Sequence, residues 1–380
     1  MYIYQRCFFL ILTLSLLNPA FAGAQLNTTL RAQQQYSQAD HSQFFKTIDA
    51  HLSFAALDVD YEAGGVRVAT TFSMTKQQRT ETKFTISEAY YDFSLAQWFG
   101  SVGKKKVDWG VGYGFRPLDL FSPTKSLALY TAVPPGSYVV AGDYFTQRGN
   151  VSLLCNESKR LYLDKGRATT SSLGCGGRYY HYFDNVESQF IAHFDRRMGW
   201  RVGGSAVTVL REATALYGSL LWQSRYQSPT FKRGLNNAWT QTTWHENSLQ
   251  ALIGVNHSMM AGVNIIAEYW FDGRAPKQHQ WRQVLEMGSA SLRGHYATQN
   301  LFQHNLMLHV RGHDKSWQPS FTAVLNPQDS SMFIDGKLCY SQIQGRQFCA
   351  GARRYLGSAL SIYGQLGQQQ VAYLSLEIKL

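Results

Sequence analysis

The sequence predicts an all-β protein: a closed antiparallel transmembrane β-barrel of about 16–18 strands. Three observations lead there. Apolar and polar residues alternate with period two from one end of the chain to the other, the mark of strands with two unlike faces. Charged residues make up only 16% while aromatics reach 14%, against about a quarter charged in an ordinary soluble domain. Beyond the front end, no apolar run is long enough for a spanning helix, which needs roughly 20 residues. Few charges, many aromatics and a slightly polar mean hydropathy of -0.26 suit a sheet whose two faces meet different solvents.

The first stretch, MYIYQRCFFLILTLSLLNPAFA, carries one positive charge at Arg6, an apolar run from Cys7 to Leu17, a breaker at Pro19 and an Ala20-Phe21-Ala22 site. This is the layout of a secretory signal. Residues 1–22 are therefore expected to be removed, and residues 23–380 to form a single barrel domain. Cys7 stands at the head of the apolar run and not after it, which argues against lipoprotein processing.

Strand signals then follow in series. In VRVATTFSM, Val66, Val68, Thr70, Phe72 and Met74 oppose Arg67, Thr71 and Ser73. In SEAYYDFSL, Ala89, Tyr91, Phe93 and Leu95 oppose Glu88, Tyr90, Asp92 and Ser94. Leu249, Ala251, Ile253 and Val255 share a face. Val263, Ile265, Ala267, Tyr269 and Phe271 oppose Asn264, Glu268 and Asp272, and Leu306, Leu308 and Val310 oppose Asn305, His309 and Arg311. The last ten residues, VAYLSLEIKL, place Ala372, Leu374, Leu376, Ile378 and Leu380 on one side. Charges collect on the polar faces, among them Arg67, Arg201, Asp335, Lys337, Glu377 and Lys379. A barrel in lipid makes this demand, because a charge on its outer face costs ~2–4 kcal/mol at mid-depth. Closure also satisfies every strand edge, as lipid requires. About 358 residues remain after the leader, and at roughly 9–11 per strand plus a connection each they supply about 16–18 strands. Helix signals are scarce: a short helix is expected in WRQVLEMGSASLRGHY, and a turn or two between Leu118 and Tyr130.

Four cysteines remain after the leader. An even count in an exported chain favours disulfides. Cys155–Cys175 and Cys339–Cys349 are the preferred pairs, since each flanks a single loop. The second brackets SQIQGRQF as partners across a hairpin would. No C-x-x-C occurs and the histidines are scattered, so no metal site is expected.

The most distinctive segment is FGSVGKKKVDWGVGYGFRPLDLFSP. Its glycines and prolines force an irregular path, and the stretch from Gly110 to Ser137 is long for a hairpin loop. Trp109, Phe115, Leu118, Leu120 and Phe121 give it side chains to pack, so it is expected to fold inward and narrow a pore. The pattern G-K-x-x-x-D-W-G-x-G followed by P-x-D, carried by Gly103, Lys104, Asp108, Trp109, Gly110, Gly112, Pro117 and Asp119, resembles porin-like bacterial outer-membrane β-barrels. LNPQDSSMFIDGKLCY through CAGARRYLG is similar to the penultimate hairpins of the same group. The resemblance implies a barrel in the outer membrane and passage of small solutes, with no particular solute implied.

Candidate pore-lining or constriction residues are Lys104, Lys106, Asp108, Arg116 and Asp119 on this segment, with Glu88, Asp92, Arg311 and Arg353 on polar strand faces. Two readings stand for the Lys104–Lys106 run: a solvated or headgroup-level cluster, or a positive wall that attracts anions. Arg116 and Asp119 either pair and hold the loop or line the constriction. The acids Glu268 and Asp272 act as channel electrostatics or pair with nearby arginines. No G-x-S-x-G, H-E-x-x-H, P-loop or dinucleotide fingerprint occurs, so the expectation is a non-enzyme without a cofactor. The net charge of +11 is spread along alternate strand positions and interleaved with acids, unlike the single basic surface of a nucleic-acid binder. The expected function is passive or selective passage of small hydrophilic solutes, anions among them. Expected partners are outer-membrane lipid, those solutes and the barrel-assembly machinery. Rival readings are a plugged barrel serving as adhesin, receptor or assembly component, a barrel enzyme acting on envelope lipid, and a soluble secreted sandwich.

Overall fold

The computed structural model describes residues 23–38, 51–121, 133–162, 168–233, 238–287, 300–314, 316–341, 344–366 and 369–380. The export signal at 1–22 and the 122–130 part of the proposed turn lie outside them. Eighteen antiparallel strands form one sheet that closes on itself. They are β1 Gln25–Gln38, β2 His51–Ala63, β3 Val66–Lys76, β4 Thr80–Leu95, β5 Trp98–Lys105, β6 Ser137–Thr146, β7 Gly149–Tyr162, β8 Ala168–Phe183 and β9 Val186–Asp195. The ring continues through β10 Gly199–Leu210, β11 Thr214–Arg233, β12 Ala238–Ser258, β13 Val263–Asp272, β14 His304–Gly312, β15 Trp317–Asn326, β16 Ser331–Tyr340, β17 Arg346–Leu356 and β18 Gln370–Lys379. Every strand pairs with its sequence neighbours, and β1 pairs with β18, from Thr29 opposite Lys379 to Gln38 opposite Gln370. No ladder edge is left open, which is how a barrel removes the exposed backbone of a sheet.

The longest connections share one rim, together with short turns such as 77–79 and 196–198. Short turns such as Gly64–Gly65, and the described chain ends, share the other. The long connections after β5 and β13 leave from the first, here the loop rim. The helix expected near Trp281 forms as α1, Gln278–Met287, on the connection after β13. Residues 118–121 are not helical. Among the described residues, no helix is long and apolar enough to cross a membrane.

Alternation decides which side chain points where. Outward positions are apolar: Phe72, Phe84, Phe93, Val140, Leu153, Phe190, Leu220, Ile253, Leu308, Phe321 and Leu374 are all exposed. Outward Lys104, Arg346 and Arg354 sit at or near strand ends. Ring pairs gather towards both rims of the outer surface: Tyr36–His51, Phe194–Trp200 and Phe271–His304 at the loop rim, Trp98–Tyr144 and Trp317–Tyr340 at the turn rim. The terminal strand follows the same rule, with Leu374 exposed outward and Val371 and Tyr373 buried inward.

The interior is apolar in part. Inward Leu252, Ile266, Trp270, Met307, Val324 and Phe333 form an apolar cluster with Phe115, Trp281, Phe302, Ile362 and Tyr363. Inward Val139, Leu154, Ile191 and Leu221 form a second with Trp109, Leu118, Leu120 and Phe121. The physical reason is the segment after β5, which enters the barrel and needs apolar surface to pack on.

Candidate pore constriction

Residues 106–121 leave β5 and reach β13, eight places further round the eighteen-strand ring. The tip is held by one carboxylate. Tyr113 N–H donates to Glu268 Oε1 at 2.6 Å and Gly114 N–H to Oε2 at 2.7 Å, and the Tyr217 hydroxyl donates to Oε1 at 2.7 Å. Consecutive backbone N–H groups aimed at one anion form a small nest. Glu268 is the sixth of ten residues in β13, so the grip lies half-way up the wall. Ring contacts flank it: Tyr113 stacks on His309 with centroids 4.5 Å apart, and Phe115 meets Trp270 at 6.1 Å. Burial pushes the Tyr113 hydroxyl above its usual range, so the ring stays neutral.

Glycine makes this seating possible. Gly112 has φ +113°, a conformation that side-chain-bearing residues rarely adopt, and a Cβ there would run into the Phe115 carbonyl and Leu252. From Arg116 the segment returns along the β6–β11 side, where Ser137 Oγ donates to the Phe121 carbonyl at 3.0 Å. Gln189 Nε2 donates to the Trp109 carbonyl at 2.6 Å. A cavity of about 260 Å³ remains beneath, lined among others by Asp108, Arg116, Arg178, Tyr180 and Glu187.

The opposite part of the inner wall carries ion pairs beside a small apolar cluster of Leu52, Phe54 and Ala56. On β1–β4, Arg31 bonds Asp58 at 2.6 Å, and Arg67 bonds Asp60 at 2.8 Å and approaches Glu88 at 4.0 Å. On β16–β18, Arg353 donates to Asp335 at 3.0 Å, and Tyr373 donates to the same carboxylate. Exposed Arg311 reaches Gln318 at 3.0 Å.

The sequence-based candidates divide accordingly. Glu88 is buried at the base of the segment, accepting the Lys106 N–H at 2.9 Å with the Lys106 ammonium 4.0 Å away. Asp92 accepts from Ser101 and Lys105. Arg116 bonds Asp108 and the Gly110 carbonyl, which ties the segment to itself. Asp119 is buried beside Gly110. Arg311 and Arg353 face inward. Lys104 is a correction: expected to line the pore, it lies on the outward face, 6.0 Å from the centre of the Tyr138 ring. Alternation from inward Ser101 and Lys105 puts it there, and near a strand end its ammonium reaches the Ile86 carbonyl. Both disulfides, Cys155–Cys175 and Cys339–Cys349, form between residues directly opposite in the ladder.

The sequence pattern shows Glu268 as an inward acid but not as the grip, and it places His309 on the polar face without giving it, Tyr217 or Trp270 a role. A signal existed in IIAEYWF. The acid's inward neighbours, Ile266 and Trp270, are apolar, and an acid between them needs a polar partner brought from elsewhere.

No family model and no curated protein matches the chain. Solved structures do. OccAB1 of Acinetobacter baumannii superposes with a TM-score of 0.56 at 10% identity, over 94% of this chain and 96% of that one. OccK5 (OpdH) of Pseudomonas aeruginosa gives 0.56 at 9%, over 94% and 97%. The outer membrane protein OprD of Pseudomonas aeruginosa gives 0.56 at 10%, over 94% and 93%. Likeness at this identity establishes a shared architecture, and the chain is a closed eighteen-stranded barrel of the kind those proteins have.

Proposed function

We propose that the chain is an outer-membrane channel, a member of the porin-like barrels, that passes small hydrophilic solutes. The path runs on the side of the lumen that the inward segment leaves to charged side chains. One observation carries this reading: residues 106–121 cross to Glu268 at half height. They narrow the barrel while Arg31, Arg67, Arg311 and Arg353 keep a polar lining on the other side. The apolar outer wall with rings towards both rims supports a place in lipid. The fold shared with an outer membrane protein agrees with that place. Selectivity then rests on pore width and lining charge, with no chemical step and no cofactor. The positive balance of +11 biases passage towards anions. Lipid and the barrel-assembly machinery are the partners this reading entails.

Reconstitution of the full chain into planar bilayers tests it. Discrete conductance steps are expected, with a reversal potential in a salt gradient that favours anions. Bilayers that stay sealed across many insertions sink the channel and leave the plugged-barrel reading. That second reading draws on the loop-rim interior, where Trp281, Phe302 and Tyr363 pack inside and Asp272, Asn326 and Ser331 have no exposure.

A further inference from the structure

The two disulfides lie on opposite faces of the wall. Cys155 and Cys175 are both exposed on the outward face, near Leu153 and Leu173 and with Val140 of β6 and Phe194 of β9 beside them in the ladder. Cys339 and Cys349 point inward, Cys339 buried at 4% exposure and Cys349 half-buried, and their ladder neighbours are Gln318 of β15 and Ser375 of β18. Lys337, on the same inward face, is exposed. One bridge therefore sits among hydrocarbon side chains and the other among polar ones.

Thiol–disulfide exchange needs a thiolate as nucleophile. A thiolate facing hydrocarbon carries the penalty of any charge there, and a water-soluble oxidant or reductant cannot approach it. Resting on the reading of the barrel as an outer-membrane protein, we infer that the disulfides belong to different stages. Cys155–Cys175 is made in water before its hairpin enters lipid, whereas Cys339–Cys349 stays open to exchange in the finished channel through attack at the half-buried Cys349. In the first step the two thiols lose two protons and two electrons. A disulfide-bearing oxidant in the aqueous compartment takes the electrons and leaves as its dithiol, through a mixed disulfide. The reaction that must precede insertion is thus dithiol oxidation on an unfolded or hairpin-stage chain. Early closure also serves the local sequence. β8 carries Gly174, Gly176 and Gly177 around Cys175, and a glycine-rich strand specifies its register weakly. A covalent tie between Cys155 and Cys175 removes the slip.

The test uses the oxidised full chain in floated, detergent-free liposomes, treated with a charged phosphine reductant and then a charged maleimide. Label is expected on Cys339 and Cys349, with Cys155 and Cys175 at background, and on all four after unfolding in urea. A second measurement folds reduced double variants into liposomes and then adds oxidised glutathione. The Cys155→Ser/Cys175→Ser chain is expected to close its remaining bridge, and the Cys339→Ser/Cys349→Ser chain to remain a dithiol. Floated chains that label Cys155 and Cys175 as fully as the other pair overturn the inference and leave the membrane reading standing. A chain that does not float overturns both.

Discussion

The two sides of the lumen are built from different chemistry. On the β6–β14 side, inward positions such as Leu154, Ile191, Leu252, Trp270 and Met307 are apolar and buried, and the segment after β5 rests on them. On the β1–β5 and β16–β18 side, many inward positions pair charge with charge: Arg31 with Asp58, Arg67 with Asp60, Lys105 with Asp92, Arg353 with Asp335; Leu52, Phe54 and Ala56 of β2 and Phe333 of β16 are apolar exceptions. Hydrophobic burial is non-directional and scales with area, so the first side can seat a long irregular segment. Ion pairs hold individual side chains in place, and Arg67–Asp60 and Lys105–Asp92 keep a third or so of their surface exposed to water, so the second side can line a path. The difference teaches that one barrel wall serves as both scaffold and conduit, divided by residue type.

That division can be broken by substitution. Trp270→Ala opens a cavity in the seating cluster, where the indole is 2% exposed. Loss of roughly 3–5 kcal/mol is expected, read as a lowered unfolding midpoint in detergent. A midpoint like that of the parent would mean the segment is not packed there. Glu268→Ala removes the acceptor of Tyr113, Gly114 and Tyr217. The expected cost is about 2–3 kcal/mol, with larger and noisier conductance as the tip leaves the wall. Glu268→Gln, which keeps an oxygen acceptor, should fall between. Unchanged conductance in Glu268→Ala would remove the grip from the account of the pore.

Substitutions on the conduit side should act on selectivity instead. Arg311→Glu alters an exposed inward side chain bonded to Gln318, so stability should stay within about 0.5 kcal/mol of the parent. The reversal potential is expected to move towards cations; no movement would take Arg311 out of the path. The smallest effect belongs to Arg67–Asp60, whose side chains are 34% and 31% exposed. A double-mutant cycle should return a coupling of ~0.2–1 kcal/mol that shrinks as salt is raised. A coupling that ignores salt would mean the pair is sealed from water.

Much of this was legible before folding. Period-two alternation put Phe72, Phe93, Ile253 and Leu374 on one face and Arg67, Asp92 and Arg311 on the other. The two hairpin disulfides followed from cysteine spacing. The pore-lining expectation fails for Lys104 because neighbouring strand residues face opposite ways, and inward Lys105 sends Lys104 outward. Apolar inward residues such as Trp270 and Met307 were left unexplained by alternation, since their partner is a distant segment and not a neighbouring strand.

Composition and the period of the pattern by themselves determined a barrel of 16–18 strands with an apolar outside, because each strand's faces are set by neighbours one and two residues away. Closure at eighteen strands, the landing of residues 106–121 on Glu268, and the split of the lumen into a packed and a charged side were decided only by the tertiary structure. Tyr113 and Glu268 lie 155 residues apart. Only ring closure, which sets strands that are not sequence neighbours across from one another, brings them within hydrogen-bond reach.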